Sequence, residues 1–207
     1  PDRWVGAATW WRYTCGTARS ELGEMSVPVS DTFLQRSATA LATLIQKREL
    51  SSTEIISAYL ARIESLNPAL NALVQVYGDA ALNAAWQADR DVALGQCRGR
   101  LHGVPFTVKD VMDTQGVISA AGLLERATHL PANDAVVLAR RKAARAILLG
   151  KSNCPPGGGR RTTDNPAHRA PRHPHPPSPA PRRSRSREAA ATPPGPSALG
   201  TGRALAG

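Results

Sequence analysis

Leu101-His102-Gly103-Val104-Pro105-Phe106-Thr107-Val108-Lys109-Asp110 is the stretch on which the fold turns. Pro105 to Val108 is a short apolar run with Gly103 before it and charge after it, the pattern of a buried strand. Its end delivers Lys109 and Asp110. Burying an ammonium group is costly unless it is paired or gives up its proton. Where such a lysine is held dry its pKa falls, and the neutral amine becomes a usable general base near neutral pH. Position alone leaves a second reading open, in which Lys109 reaches back to water and pairs with Asp110 or Asp113.

Working outward, a helix is expected from about Asp134 to Ala144, followed by a compact strand over Ala146-Ile147-Leu148-Leu149 that ends at Gly150. Upstream, Leu41, Leu44 and Ile45 share helical spacing in a short helix ending near Arg48. Ser51-Ser52-Thr53-Glu54 is a capping box, with Ser51 at the N-cap. Behind it Ile55, Ile56, Tyr59, Leu60, Ile63 and Leu66 form one apolar stripe. Asn67-Pro68 is expected to stop this helix, because proline disfavours helical geometry in the residue before it. Leu73 to Val76 reads as a strand. A third helix, capped by Asp79, runs to about Leu94 and closes at Gly95. Helices alternating with short apolar strands predict an α/β architecture.

Composition divides the chain. Residues 160–207 hold ten of the 17 prolines but only two acids, Asp164 and Glu188. The net charge of +10 is therefore mostly a property of this tail, and does not by itself define a nucleic-acid-binding domain. With six prolines between Pro171 and Pro181 and little apolar surface, the tail is expected to be basic and disordered. Residues 1–25, with Trp4, Trp10 and Trp11 in no regular period, read as a non-native or weakly ordered extension before Met25. No apolar run has the roughly 18 to 20 residues needed to span a bilayer, and no secretory signal is visible. Cys15, Cys97 and Cys154 are scattered and odd in number, against a disulfide framework or a CxxC zinc site. They fit a reducing, cytoplasmic location.

The 101–110 strand resembles the "HGVPFTVKD" strand of the amidase signature family. Asp113-Thr114, Ala120-Ala121-Gly122, Asp134-Ala135 and the block Gly150-Lys151-Ser152-Asn153-Cys154-Pro155-Pro156-Gly157-Gly158-Gly159 follow in that family's order. The likeness covers about residues 30–159, so residues 26–159 are read as the N-terminal part of an amidase signature domain. It implies N-terminal helices plus part of a mixed, mostly parallel sheet, incomplete here. It also implies hydrolysis of a linear carboxamide through a Ser–Ser–Lys triad, with a small-molecule amide as partner and no metal or organic cofactor. Lys109 would be the base, working through a bridging serine onto a nucleophilic serine. Gly157, Gly158 and Gly159 would line the amide-binding pocket. The block after Gly150 resembles free-standing amidases more than tRNA-dependent amidotransferase subunits, which carry an "NMDEF"-like sequence at Asn153-Cys154-Pro155-Pro156. A fragment of such an amidotransferase stays as the alternative.

The tail departs from this pattern. The family's "GGSSGGE" segment falls on Arg182-Arg183-Ser184-Arg185-Ser186-Arg187-Glu188, placing Ser184 at the bridging position. Arginine cannot replace glycine where backbone must pass close to backbone or take positive φ. The nucleophilic serine is expected just after Gly207, so the chain as written is expected to be inactive. Preserved register with altered identities is what a reading-frame slip in GC-rich DNA produces, and Arg141 and Arg145 read as smaller errors of that kind. A rival reading makes the chain a non-catalytic remnant whose arginine-rich tail binds nucleic acid non-specifically through phosphates. His168, His173 and His175 are separated by prolines with no acid or cysteine beside them, so no metal site is read there. His102 and Cys154 read as packed side chains.

Overall fold

The computed structural model describes residues 31–159, 165–168 and 200–201. The chain divides into two units at Asp31, and the described elements belong to the second, Thr32–Gly207. Four helices and four strands carry the fold: α1 (Ala38–Gln46), α2 (Ser52–Leu70), β1 (Leu73–Val76), α3 (Gly78–Ala93), β2 (Pro105–Lys109), α4 (Val136–Ala143), β3 (Ile147–Ser152) and β4 (Gly200–Thr201). The expected extension at 1–25 and the expected tail at 160–207, apart from the residues just given, lie outside the described residues.

The sheet order is β1-β3-β2-β4. β2 runs parallel to both β3 and β4, and β1 is antiparallel to β3 at the edge. Helix α4 makes the crossover between the parallel strands β2 and β3, as such a pair requires. The sheet is packed on both faces, so this is the expected α/β architecture with a mixed, mostly parallel sheet. On one face Leu41 and Ile45 of α1, Ile55, Ile56, Tyr59 and Ile63 of α2, and Ala81, Ala85 and Val92 of α3 meet Leu73, Val104, Ile147 and Leu149. On the other, Leu138 of α4 packs on Phe106, Val108 and Ala146. β2 is buried at every position, which is why its sequence shows a continuous apolar run and no alternation.

Local chemistry explains most of the boundaries. The capping box forms as expected: Glu54 N–H donates to Ser51 Oγ at 3.1 Å, and Ser51 N–H to Glu54 Oε2 at 2.8 Å. The next free amides of α2 are taken by another helix, since Asp89 of α3 accepts from Ser52 N–H at 2.6 Å and Thr53 N–H at 2.9 Å. Arg48 completes the joint by donating to the Val92 carbonyl at the C-terminal end of α3, at 2.9 Å.

Three expectations are corrected. Pro68 does not stop α2, which continues to Leu70. Helix α2 ends instead at Asn71, whose φ of 51° is left-handed, while the Asn67 side chain bonds both the N–H and the carbonyl of Leu73. Asp79 is not the cap of α3: Tyr77 holds that place without a side-chain bond, and Asp79 sits in the first turn, where its charge favours the helix dipole. Strand β3 does not end at Gly150 but runs through it to Ser152. Only glycine fits there, because a Cβ would fall on the Gln75 carbonyl oxygen of β1. Gly150→Ala is therefore expected to separate β1 from β3 and cost about 2–3 kcal/mol, read as a lower urea midpoint.

Arg145 takes a φ of 65° in the turn between α4 and β3. A residue with a Cβ is strained in that region by about 1 kcal/mol or more. Arg145→Gly is accordingly expected to stabilise the protein by about 0.5–1 kcal/mol, measurable as a rise in the urea midpoint. Nothing in the structure gives the Arg145 side chain a carboxylate partner among the described residues.

Candidate active site

In open α/β sheets, ligands bind beyond the carboxyl ends of the parallel strands. Here that end gathers buried polar groups. Lys109, Asp110, Thr114, Ser119, Lys151, Ser152, Asn153 and Asn165 are all buried, and most lie on β2, on β3 or on the turns leaving them. Lys109 is the last residue of β2 and only 1% exposed, so the reading in which it reaches back to water is overturned. Its register partner on β3 is Ser152, and Asp110 N–H extends the ladder to the Ser152 carbonyl at 3.0 Å. On the opposite flank Thr107 and Val108 pair with Gly200 and Thr201 of β4.

The two carboxylates near Lys109 in the sequence each face other cations. Asp110 stands 3.5 Å from Lys151 Nζ and 3.8 Å from His168 Nε2. Asp113 takes Arg126 at 3.2 Å and His129 at 3.6 Å. Lys151 also donates to the Met112 carbonyl at 3.0 Å and to Ser119 Oγ, and so folds the 110–119 loop back over the strand ends. Burial pushes the Asp110 carboxyl above the ordinary carboxylate range, while Lys151 first, then His168, push it back down. Burial also pulls the Lys151 ammonium below the ordinary lysine range, against the opposing pull of Asp110. Burial raises the Tyr77 hydroxyl too, with a further push from the Asp110 charge.

Asparagines close the floor. Asn165 donates to Asn153 Oδ1 at 2.8 Å and to the Cys154 carbonyl at 2.6 Å, and accepts from His168 N–H at 2.6 Å. Gly157 and Gly158, with φ of 62° and 75°, form a tight turn tied to Ala121 by the Gly157 N–H at 2.9 Å. A Cβ at Gly157 or Gly159 would meet open space among the described residues, whereas one at Gly158 would press on Val111. His102 is buried, with Nε2 3.0 Å from the Ala88 carbonyl, as a packed side chain at the strand entry. Cys154 is buried as well. Ser184 lies outside the described residues. Among the described residues no group of three or more His, Cys, Asp or Glu is placed to hold a metal ion.

Sequence reasoning did not single out Lys151, Ser152, Asn153 or Asn165 as site residues. The available signal was a Lys-Ser-Asn run directly after the apolar strand, which the strand's extension to Ser152 brings inside. No helix among the described residues is long and apolar enough to cross a membrane.

Comparison with known proteins gives the family. The Amidase family profile matches residues 54–206, and the chain belongs to that family, the amidase signature hydrolases. It is 36% identical over 129 residues to an acylamidase of Rhodococcus erythropolis, covering 62% of this chain and 27% of that protein. To a putative amidase, AmiD, of Mycobacterium tuberculosis it is 44% identical over 113 residues, covering 55% of this chain and 24% of that protein. One component of the glutamyl-tRNA(Gln) amidotransferase of Acidothermus cellulolyticus is 36% identical over 141 residues, covering 68% of this chain and 28% of that protein. Among solved structures, the peptide amidase of Stenotrophomonas maltophilia superposes with a TM-score of 0.69 at 30% identity, over 77% of this chain and 34% of that one. The chain thus spans about a quarter to a third of the length of these relatives.

Proposed function

We propose that this protein belongs to a hydrolase of linear carboxamides in which Lys109 is the general base. The observation that carries the reading is the burial of Lys109 at the carboxyl end of a central parallel strand, in register with Ser152 of β3. A lysine so placed serves as a base only in its neutral form. Its Nζ would take a proton through a bridging serine, the position assigned to Ser184. The nucleophilic serine then attacks the amide carbonyl, forming an ester and releasing the amine or ammonia, to which the proton passes. Water attacks the ester in the reverse sense and returns the serine. The Gly157-Gly158-Gly159 turn, open beside Gly157 and Gly159, would face the amide group.

Relatives named for acylamides, indoleacetamide and fatty-acid amides support a small carboxamide as substrate without choosing the acyl group. The test is release of ammonia or aniline from a panel of aryl and alkyl carboxamides by a chain extended to carry the nucleophilic serine. Turnover that requires Lys109 supports the proposal, and turnover indifferent to it defeats it.

A further inference from the structure

Positive charge is concentrated at the amino ends of β2 and β3, a strand length of about 16 Å from the candidate active site. Residues 92–109 and 135–159 contain no acid, yet they hold Arg98, Arg100, Arg140, Arg141, Lys142 and Arg145 ahead of the two strands. Backbone contacts bring these cations to one corner. Leu101 N–H donates to the Ala144 carbonyl at 3.1 Å, and Gly103 N–H to the Arg145 carbonyl at 3.0 Å. A Cβ at Gly99 would strike the Ala144 carbonyl, so the turn carrying Arg98 and Arg100 lies directly on the turn that follows α4.

Two of the six cations are occupied. Lys142 takes Asp134 at 2.7 Å, and the half-buried Arg141 lies over the Phe106 ring at 5.6 Å. Arg98, Arg100, Arg140 and Arg145 are exposed, and none has a carboxylate partner among the described residues. Arg98 donates only to the neutral Gln96 side chain. Crowding like charges without a counter-charge opposes folding. The dipole of α4 offsets this at Arg140, in its last turn. Arg98 and Arg100 belong to no helix, and Arg145 holds its strained φ of 65° with no ion pair to offset it. Strain kept without a compensating contact inside the fold directs attention to a contact outside it.

We propose that this corner binds the phosphodiester backbone of a nucleic acid, with Arg98, Arg100, Arg140 and Arg145 each answering a phosphate. The guanidinium fork matches the paired oxygens of a phosphate, and such contacts position a nucleic acid without reading its sequence. The exposed large apolar side chains among the described residues all lie outside 95–103 and 138–146, so the corner has no anchor for a bilayer, where one weak signal binds only marginally. The surface belongs to the folded domain and is separate from both the arginine-rich tail and the carboxamide site.

The test uses the full chain. Because the tail carries arginines of its own, Arg182, Arg183, Arg185 and Arg187 are changed to glutamine in every protein compared. In that background Arg98→Gln, Arg100→Gln, Arg140→Gln and Arg145→Gln are combined, with circular dichroism to establish folding. Affinity for a labelled, mixed-sequence single strand of about 20 nucleotides should fall about tenfold or more, and the slope of log Kd against log salt by about 3, since each lost phosphate contact removes about 0.7. Lysine at the same positions should keep the slope, because the charges remain. An intact corner that does not bind, a slope unchanged by glutamine, or a slope that lysine fails to keep each overturns the proposal. Stronger corner-dependent binding to phosphatidylserine vesicles or to polyglutamate than to the oligonucleotide assigns the surface to a lipid or an acidic peptide, and overturns it as well. No arm depends on hydrolytic activity.

Discussion

In a chain extended to carry the nucleophilic serine, replacing Lys109 by methionine is expected to lower kcat for carboxamide hydrolysis by about 10²–10⁴-fold, the range supplied by a positioned general base. Methionine matches the length and burial of the lysine stem, so the packing of β2 between β3 and β4 is kept while the proton acceptor is removed. KM should change little, because Lys109 acts on the serine relay and not on the bound amide. Lys47→Met is the control: Lys47 is exposed, beyond the end of α1, and its nearest carboxylate is Glu49 at 3.9 Å. Steady-state ammonia release, with circular dichroism to establish that the variant is folded, separates loss of the base from loss of structure. A Lys109→Met protein that is folded and retains full turnover removes the lysine from the mechanism.

The largest stability effect is expected at Lys151. Removing one partner of a buried ion pair strands the other, at a cost of about 3–5 kcal/mol. Lys151→Met does this to Asp110 and also frees the Met112 carbonyl and Ser119 Oγ at the base of the 110–119 loop. The double variant Lys151→Met with Asp110→Asn should be less damaged than the sum of the two single changes, since the buried charge leaves with its partner. The penalty should also depend on pH. Burial raises the folded-state carboxyl of Asp110, so its contribution to stability is full below the unfolded carboxylate pKa and is lost as pH rises through the folded value. Lys151 is the first of the groups that hold this carboxyl down, and its removal lets the carboxyl rise further. At a pH low enough to keep Asp110 protonated, no counter-charge is needed. The Lys151→Met penalty should therefore be smaller near pH 4.5 than near pH 8, both approximate, when measured by urea unfolding. A penalty that is small and independent of pH would show that the pair is not a working ion pair in the folded protein.

Much of this architecture was legible from the chain alone, and for local reasons. The apolar stripe of α2, its capping box, the run from Pro105 to Val108 and the left-handed glycine after α3 are encoded within a few residues of where they act. Lys109 stood out for the same local reason, as a charge at the end of a run read as a buried strand. The motifs around it carried the family resemblance, which the profile match over residues 54–206 bears out.

What the sequence left open depends on partners distant in the chain. Gly150 looked like a strand end because glycine weakens strands, yet it lies mid-strand where the Gln75 backbone crosses. Asn67-Pro68 looked like a stop, but the helix ends only where Asn71 turns left-handed and Asn67 grips Leu73. Position alone could not say whether Lys109 pairs with a neighbouring acid. Nor could it say that β3 brings Lys151 to Asp110, or that the 113–129 loop brings Arg126 and His129 to Asp113. Periodicity and caps report only what lies within one element. The charge state of a buried site is set by which elements the fold lays side by side, and that belongs to the tertiary structure.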